Sequence, residues 1–298
     1  MRERIRGEKF QEHYDQAQLF FNSLAPYEKK HLIDAISFEL DHCDDPVVYQ
    51  TYTKVLSCID FELAKEVASN IGSTIPDEPG RENHGRENHG KTSEFLSQLY
   101  YAPKIPTIVE RRIAILIADG FNLDEVNAVR KAFSSAKART FIIGPRRGEI
   151  YPSGDERDTR KGIKADHHFE GQRSTLFDAL YIPSGDHISQ LAKNGRAVQY
   201  AREAFGHCKA IGAAGVAVAF LRDVVDLPGV EFQHDGSSDV KTSYGVVTTG
   251  KFDVKSAAIG TLRIEHDSTD FLAEYAYVIS RHRCYERELD GLTAQVAY

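Results

Sequence analysis

The stretch His207-Cys208-Lys209-Ala210-Ile211-Gly212-Ala213-Ala214-Gly215-Val216-Ala217-Val218-Ala219-Phe220 reads as a short apolar strand, a sharp turn of very small residues and an apolar helix. Enzymes use that geometry to lift a nucleophile onto the tip of a strand–helix junction, where helix N–H groups stabilise an oxyanion. The apex then needs a Ser, Cys or Thr. Here it is Gly212-Ala213-Ala214, which carries no atom able to attack. The sequence predicts the architecture of a site without its reactive group.

Working outward, the same alternation recurs. Arg112-Ile113-Ala114-Ile115-Leu116-Ile117-Ala118 is a near-continuous apolar run, as expected of a strand buried on both faces. Asn122 or Asp124 can cap a helix through about Ala136, and Thr140-Phe141-Ile142-Ile143 gives the next strand. A polar stretch, 144–173, precedes a strand from Leu176 to Ile182, the turn Pro183-Ser184-Gly185-Asp186 and a helix to about Ala204. Gly245–Thr249 is a late strand, and Ser268–Leu289 reads as one long terminal helix. Repeated βα units predict an α/β domain over 108–298, a doubly wound parallel sheet with ligand sites at the strands' C-terminal ends.

Residues 1–72 differ, reading from about residue 8 as a small all-α segment of four helices. Phe10, Tyr14, Ala17, Phe21 and Leu24 form an apolar stripe at helical spacing. Pro26 suits the first turn of a second helix, Asp45-Pro46 opens a third, and Asp60 caps a fourth that Gly72 ends. Residues 73–107 predict a linker: four prolines break the periodicity, and Gly80-Arg81-Glu82-Asn83-His84 is duplicated at Gly85–His89. Apolar residues from Leu96 to Tyr101 are expected to anchor that linker on a domain surface.

The chain has 298 residues, 41% hydrophobic and 27% charged, an ordinary globular balance. A net charge of -7 argues against nucleic acid as a partner. No run reaches membrane-spanning length and the first residues lack a signal peptide's apolar stretch, so no membrane partner is expected and a cytoplasmic location is favoured over secretion. Four scattered cysteines, Cys43, Cys58, Cys208 and Cys284, read as reduced thiols with no metal spacing. The chain holds a single methionine and no tryptophan.

Glu125 lies in the first turn of the helix after the first strand, near the same sheet edge as the Ala213 turn. It reads either as an acid beside a nucleophile or as a carboxylate favoured by the helix N-terminus. Cys208 falls inside the strand as a core thiol. Asp166-His167-His168 with Glu170 reads as a solvated loop, and His234-Asp235 lies where a triad histidine would come from.

Two stretches then carry a resemblance. Gln16–Leu24 and Ile59–Gly72 resemble the last helices of haem catalases. Ile117-Ala118-Asp119-Gly120, Tyr181-Ile182-Pro183-Ser184-Gly185 and the Ala213 turn resemble the DJ-1/PfpI branch of the class I glutamine amidotransferase-like fold, which is flavodoxin-like. In that order the combination is similar to the C-terminal half of large-subunit catalases, most closely those of filamentous fungi. The resemblance puts the family's helix-borne acid on Glu125, its oxyanion loop on Ser184-Gly185 and its nucleophilic cysteine on Ala213, with Ala214 beside it: a vestigial pocket with no catalytic residue. It implies that haem belongs to an upstream core and that this chain binds no cofactor or metal. Arg147-Gly148-Glu149-Ile150-Tyr151 matches the haem-ligating signature only in spacing. The implied role is to stabilise a peroxide-dismuting parent and to act as a holdase. The implied partners are the core of the same polypeptide, unfolded clients and, through the parent, a homo-oligomer. Two alternatives remain: a residual glyoxalase or hydrolase using Cys208 or a water positioned by Glu125, or a small-anion module at the helix after Ala213.

Overall fold

The protein is described from a computed structural model covering residues 13–80, 90–154, 162–254 and 262–298. The chain divides into two compact units, Met1–Pro103 and Lys104–Tyr298.

Among its described residues the first unit carries four α-helices: α1 (Asp15–Ser23), α2 (Pro26–Asp41), α3 (Pro46–Ser57) and α4 (Phe61–Asn70). Their starts follow local chemistry. Pro26 and Pro46 occupy first helical positions, where a missing N–H costs nothing. Asp45 accepts the Val47 N–H at 2.9 Å and Asp60 the Leu63 N–H at 2.9 Å. Phe21, Ile33, Leu40, Leu56, Leu63 and Val67 form the core between them. The expected helical residue Phe10 and most of the duplicated repeat, 81–89, lie outside the described residues.

The second half of the expected linker docks on this unit, by polar rather than apolar contacts. Ser97 is buried, whereas Leu99 and Tyr101 remain 62% and 69% exposed. The buried Glu28 carboxylate accepts hydrogen bonds from the Ala25 N–H at 2.7 Å, the Ser97 hydroxyl at 2.8 Å and the Gln98 N–H at 2.8 Å. Burial raises the Glu28 pKa, but these three donors outweigh it and hold the group below its ordinary value.

The second unit is mixed α/β. Its sheet comprises β1 (Arg112–Leu116), β2 (Arg139–Gly144), β5 (His167–His168), β6 (Ala179–Ile182), β7 (Ala210–Ala214), β8 (Val240–Ser243) and β9 (Val246–Thr249), in the order β5-β2-β1-β6-β7-β9-β8. All pairs are parallel except β8 with β9. A separate two-stranded ribbon pairs β3 (Glu149–Ile150) with β4 (Ile163–Lys164). Among the described residues its α-helices are α5 (Leu123–Ser135), α6 (Ile188–Leu191), α7 (Gly195–Gly206), α8 (Val216–Ala219), α9 (Phe271–Ser280) and α10 (Glu286–Leu289).

Strand alternation sorts side chains into two cores. Ile113, Ile115 and Ile117 join Tyr181, Phe133 of α5 and Tyr275 of α9 on one face. Ala114, Leu116, Leu180, Ile182, Ile211 and Ala213 meet Phe205 of α7 and Val218 of α8 on the other. The near-continuous apolar runs thus reflect a sheet covered by helices on both sides.

Several expectations shift. The polar 144–173 stretch contains β3, β4 and β5, and β8 was not foreseen. The terminal helix is two helices, because the Cys284 N–H donates out of the ladder to the Cys208 carbonyl at 2.7 Å and His282 turns at φ 69°. Cys208 is a buried thiol, but it occupies the left-handed turn before β7 rather than the strand.

Candidate functional site

The strand ends of β1, β6 and β7 converge on one sheet edge. There, β7 runs through Ala214, with Ala213 paired to Thr248 and Ala214 to Thr249, all buried. The chain turns at Gly215, with φ 56° and ψ -131°, before entering α8. Side-chain-bearing residues reach that conformation only with strain, and nucleophile elbows store such strain. The apex expected at Gly212-Ala213-Ala214 therefore lies further on, at Gly215. The small side chains that suggested a turn serve instead to let β7 pass between two covering layers. Only Gly215 has the conformational freedom the turn demands.

A Cβ placed on Gly215 would lie 2.6 Å from the Ser184 Oγ. Ser184 thus fills the space a nucleophile at this elbow would need. Its neighbour Gly185 adopts φ 141°, and a Cβ there would fall 2.5 Å from the Gly120 carbonyl oxygen, so the loop packs backbone to backbone against the end of β1.

Glu125 sits beneath this loop, 1% exposed, in the first turn of α5, where Asn122 caps the helix by accepting the Glu125 N–H at 3.1 Å. Its Oε1 accepts two hydrogen bonds, from the Tyr181 hydroxyl at 2.5 Å and the Ser184 N–H at 3.0 Å. Burial raises its pKa to about 7, against the opposing pull of both donors. Burial and the facing carboxylate push Tyr181 well above its ordinary range. The loop and the acid are thereby linked through one carboxylate oxygen.

Two partners of this arrangement escaped the sequence reading. Tyr181 is one; a tyrosine inside a strand buried on both faces must find an acceptor for its hydroxyl, and that was the available signal. His187 is the other, fully buried, donating from Nε2 to the Pro183 carbonyl at 2.9 Å and accepting the Ala118 N–H at Nδ1 at 3.3 Å. Burial drives its pKa down to about 4, so the imidazole is a neutral strut between β1 and the Ser184 loop. No sequence pattern marked it.

Chemically, the site holds an acid with a pKa of about 7 and an elbow whose turning residue, Gly215, carries no side chain, with the Ser184 hydroxyl beside it. The other candidates lie apart from it or play structural parts. Asp166 anchors β5 by accepting the Ile142 N–H at 2.7 Å, and His167 and His168 are strand residues rather than a loop. His234 is exposed near the end of β9, its carbonyl 2.2 Å from where a Cβ on Gly250 would stand.

Residues 7–71 match the family model for the catalase-related immune-responsive segment, and residues 110–264 match the C-terminal domain found in long catalases. The chain belongs to the C-terminal region of long catalases. It is 42% identical to Catalase A of Aspergillus fumigatus over 300 residues, covering 100% of this chain and 39% of that protein. Catalase A of Emericella nidulans is 44% identical over 293 residues, 97% of this chain and 39% of the relative. Catalase-1 of Neurospora crassa is 43% identical over 296 residues, 99% and 38%. The chain thus spans well under half the length of the relatives it matches.

Catalase family membership raises the question of haem, and the stretch Arg147–Tyr151, which shares the spacing of a haem-ligating signature, does not fit that role. Arg147 is exposed, and Tyr151 lies at the ribbon edge with its backbone N–H on Asp119 at 2.9 Å. The stretch between them includes β3, which is ribbon, not the wall of a macrocycle-sized cavity. Among the described residues no helix is long and apolar enough to cross a membrane.

Proposed function

We propose that this long-catalase segment is a catalytically silent stabiliser of a haem-containing, hydrogen-peroxide-dismuting parent, and a holdase for unfolding chains. The observation that carries the silent reading is the elbow. Its turning residue, Gly215, has no side chain, and Ser184 occupies the space beside it. Taken in chain order, the five longer parallel strands lie 2-1-3-4-5, which supports a flavodoxin-like, doubly wound domain of the DJ-1/PfpI kind. That fold would place the vestigial pocket at its switch point, on Glu125, Ser184, Gly185 and Gly215. The domain would fold as a body of its own and brace the core of the same polypeptide, which carries the haem and the homo-oligomer contacts.

Support for client holding comes from the helical unit. Phe38 is 65% exposed and Val47 64%, with Val48, Tyr52 and Val55 also exposed on α3. Exposed apolar side chains concentrated on one unit mark an interaction surface, for the parent's core or for an unfolded chain.

Heating the parent catalase with and without this segment, then measuring residual oxygen evolution from peroxide, tests the stabilising role. A longer half-life with the segment is expected, and equal half-lives would end that reading. Light scattering from a heat-aggregating client tests the holdase role. Suppression at equimolar dose is expected, and unchanged scattering would discard it.

A further inference from the structure

Two buried cysteines and a buried arginine meet where the last helices close against the start of β7. Cys208 and Cys284 are free thiols, both buried, and the Cys284 N–H donates to the Cys208 carbonyl at 2.7 Å. A direct backbone bond of that kind sets the two Cα atoms about 5–6 Å apart, within the span of a disulfide.

The Arg287 guanidinium is fully buried beside them. Its Nε donates to the Tyr244 carbonyl at 2.6 Å, its Nη1 donates to the Phe205 carbonyl at 3.0 Å, and it stacks 4.3 Å from the Phe205 ring centroid. Its Nη2 has no hydrogen-bond partner among the described residues. A Cβ on Gly245 would lie 2.0 Å from the Cys284 Sγ and 3.1 Å from that Nη2, so sulfur and free donor are within about 5 Å of each other. A buried guanidinium with an unused N–H is costly unless an acceptor arrives. Cys208 meets the opposite environment: burial and the Glu288 carboxylate, to which its thiol is hydrogen-bonded, push it up to about 12. Burial also raises Cys284, but Arg287 opposes that rise.

We propose that Cys208 and Cys284 are a dithiol pair that hydroperoxides oxidise to a disulfide, Cys284 attacking first and Cys208 resolving. The Cys284 sulfur attacks a peroxide oxygen, the O–O bond breaks, and the departing oxygen takes the thiol proton and leaves as water or alcohol. The sulfenic acid so formed presents its oxygen to the free Arg287 Nη2. The Cys208 sulfur then attacks the Cys284 sulfur and the S–O bond breaks. The hydroxyl leaves as water with the Cys208 proton, which the Glu288 carboxylate is placed to carry. Two thiols lose two protons and two electrons, and the peroxide is reduced. Burial makes the reaction slow and selective for a small oxidant. The inference does not depend on the stabilising or holdase roles.

The test is non-reducing peptide mass spectrometry of the folded full chain after graded hydrogen peroxide, with free thiols blocked before digestion. The expected product is one cross-linked pair of peptides holding Cys208 and Cys284, two hydrogens lighter than their sum and separated by a thiol reductant. Cys208→Ser should leave Cys284 as a sulfenic acid trapped by dimedone, while Cys284→Ser should leave Cys208 a thiol. The proposal is overturned if both residues still label as thiols once the half-buried Cys43 and Cys58 have oxidised. It is equally overturned if the same cross-link forms as readily in the urea-unfolded chain, since the folded geometry would then contribute nothing.

Discussion

Replacing Glu125 by Gln isolates the energetics of the site. The carboxyl rises from its ordinary 4.5 to about 7 on folding. The folded state therefore binds more protons than the unfolded state between those values. Stability from this group is fully present below pH 4.5 and is lost as pH rises through 7. Integrating the linkage between pH 5 and pH 8 gives a loss of about 2.5 kcal/mol. His187 works in the other direction, its folded value near 4 against an ordinary 6.5. Its contribution is present above 6.5 and lost as pH falls towards 4, which makes the unit about 2 kcal/mol more stable at pH 8 than at pH 5. The two slopes oppose each other, so the Glu125 contribution is read by comparison with a variant that removes it alone.

Glu125→Gln keeps an oxygen to accept the Tyr181 hydroxyl and the Ser184 N–H while removing the titration. Hydrogen exchange of peptides from β1 and β6, measured at each pH on both proteins, gives the free energy of opening the sheet, and the difference cancels the intrinsic pH dependence of exchange. Relative to the native chain, the variant should gain about 2.5 kcal/mol between pH 5 and pH 8, with a rising profile of its own. A difference that stays level across that range, or falls, would refute the assignment of a raised carboxyl to Glu125.

Three further outcomes follow from single contacts. Gly215→Cys alone should destabilise the sheet unit by about 2–3 kcal/mol, through strain at a positive φ and the clash with Ser184, whereas Gly215→Cys with Ser184→Gly should recover part of that loss. In the double variant the new thiol should react with iodoacetamide, and thermal melts with thiol kinetics read both effects. Glu28→Gln removes the acceptor strength that holds Ser97 and Gln98, so limited proteolysis should cut residues 93–101 severalfold faster while α2 persists by circular dichroism. Gly212→Ala should cost about 1–3 kcal/mol, because its Cβ would stand 3.0 Å from the Tyr275 ring, whose hydroxyl is fixed on the Leu180 carbonyl; a urea titration would measure it.

How much of this was legible depended on whether local chemistry or tertiary packing decided the matter. Asp60, Pro26, Pro46 and Asn122 announce helix starts because their side chains or rings act within a turn of the chain. The run Arg112–Ala118 announces a strand covered twice, because no other element tolerates seven such residues in water. The edge strands β5 and β8 were missed because each is short and polar; β5 is held by β2, distant in sequence, and β8 by β9 across the Tyr244-Gly245 turn. The elbow was misplaced for a related reason. Ala213 and Ala214 look like turn residues by size, yet being small is also what a strand needs between two crowded helical layers. Gly215 differs from them only in the backbone it permits, which becomes decisive once the register with β9 is fixed. The place of Glu125 in the first turn of α5 was legible, but its protonation was not, since that comes from burial, against the opposing pull of the Tyr181 and Ser184 donors.

The silence proposed for the site would rest on two positions, 184 and 215. A nucleophile at residue 215 would need the strained elbow, which the backbone already provides, and the space beside it, which Ser184 occupies. Restoring the side chain without clearing Ser184 would place a Cβ 2.6 Å from a hydroxyl oxygen, and clearing Ser184 alone would leave an elbow with nothing on it. Neither single step yields a working site. Glu125 meanwhile remains buried and, at neutral pH, has lost most of the stability its protonated form contributes, although its two hydrogen bonds need only an oxygen acceptor. A carboxyl whose hydrogen bonds an amide oxygen could accept, beside a turn that glycine makes without strain, is what the proposed vestigial site would leave: a reactive site's scaffold without its reacting atom.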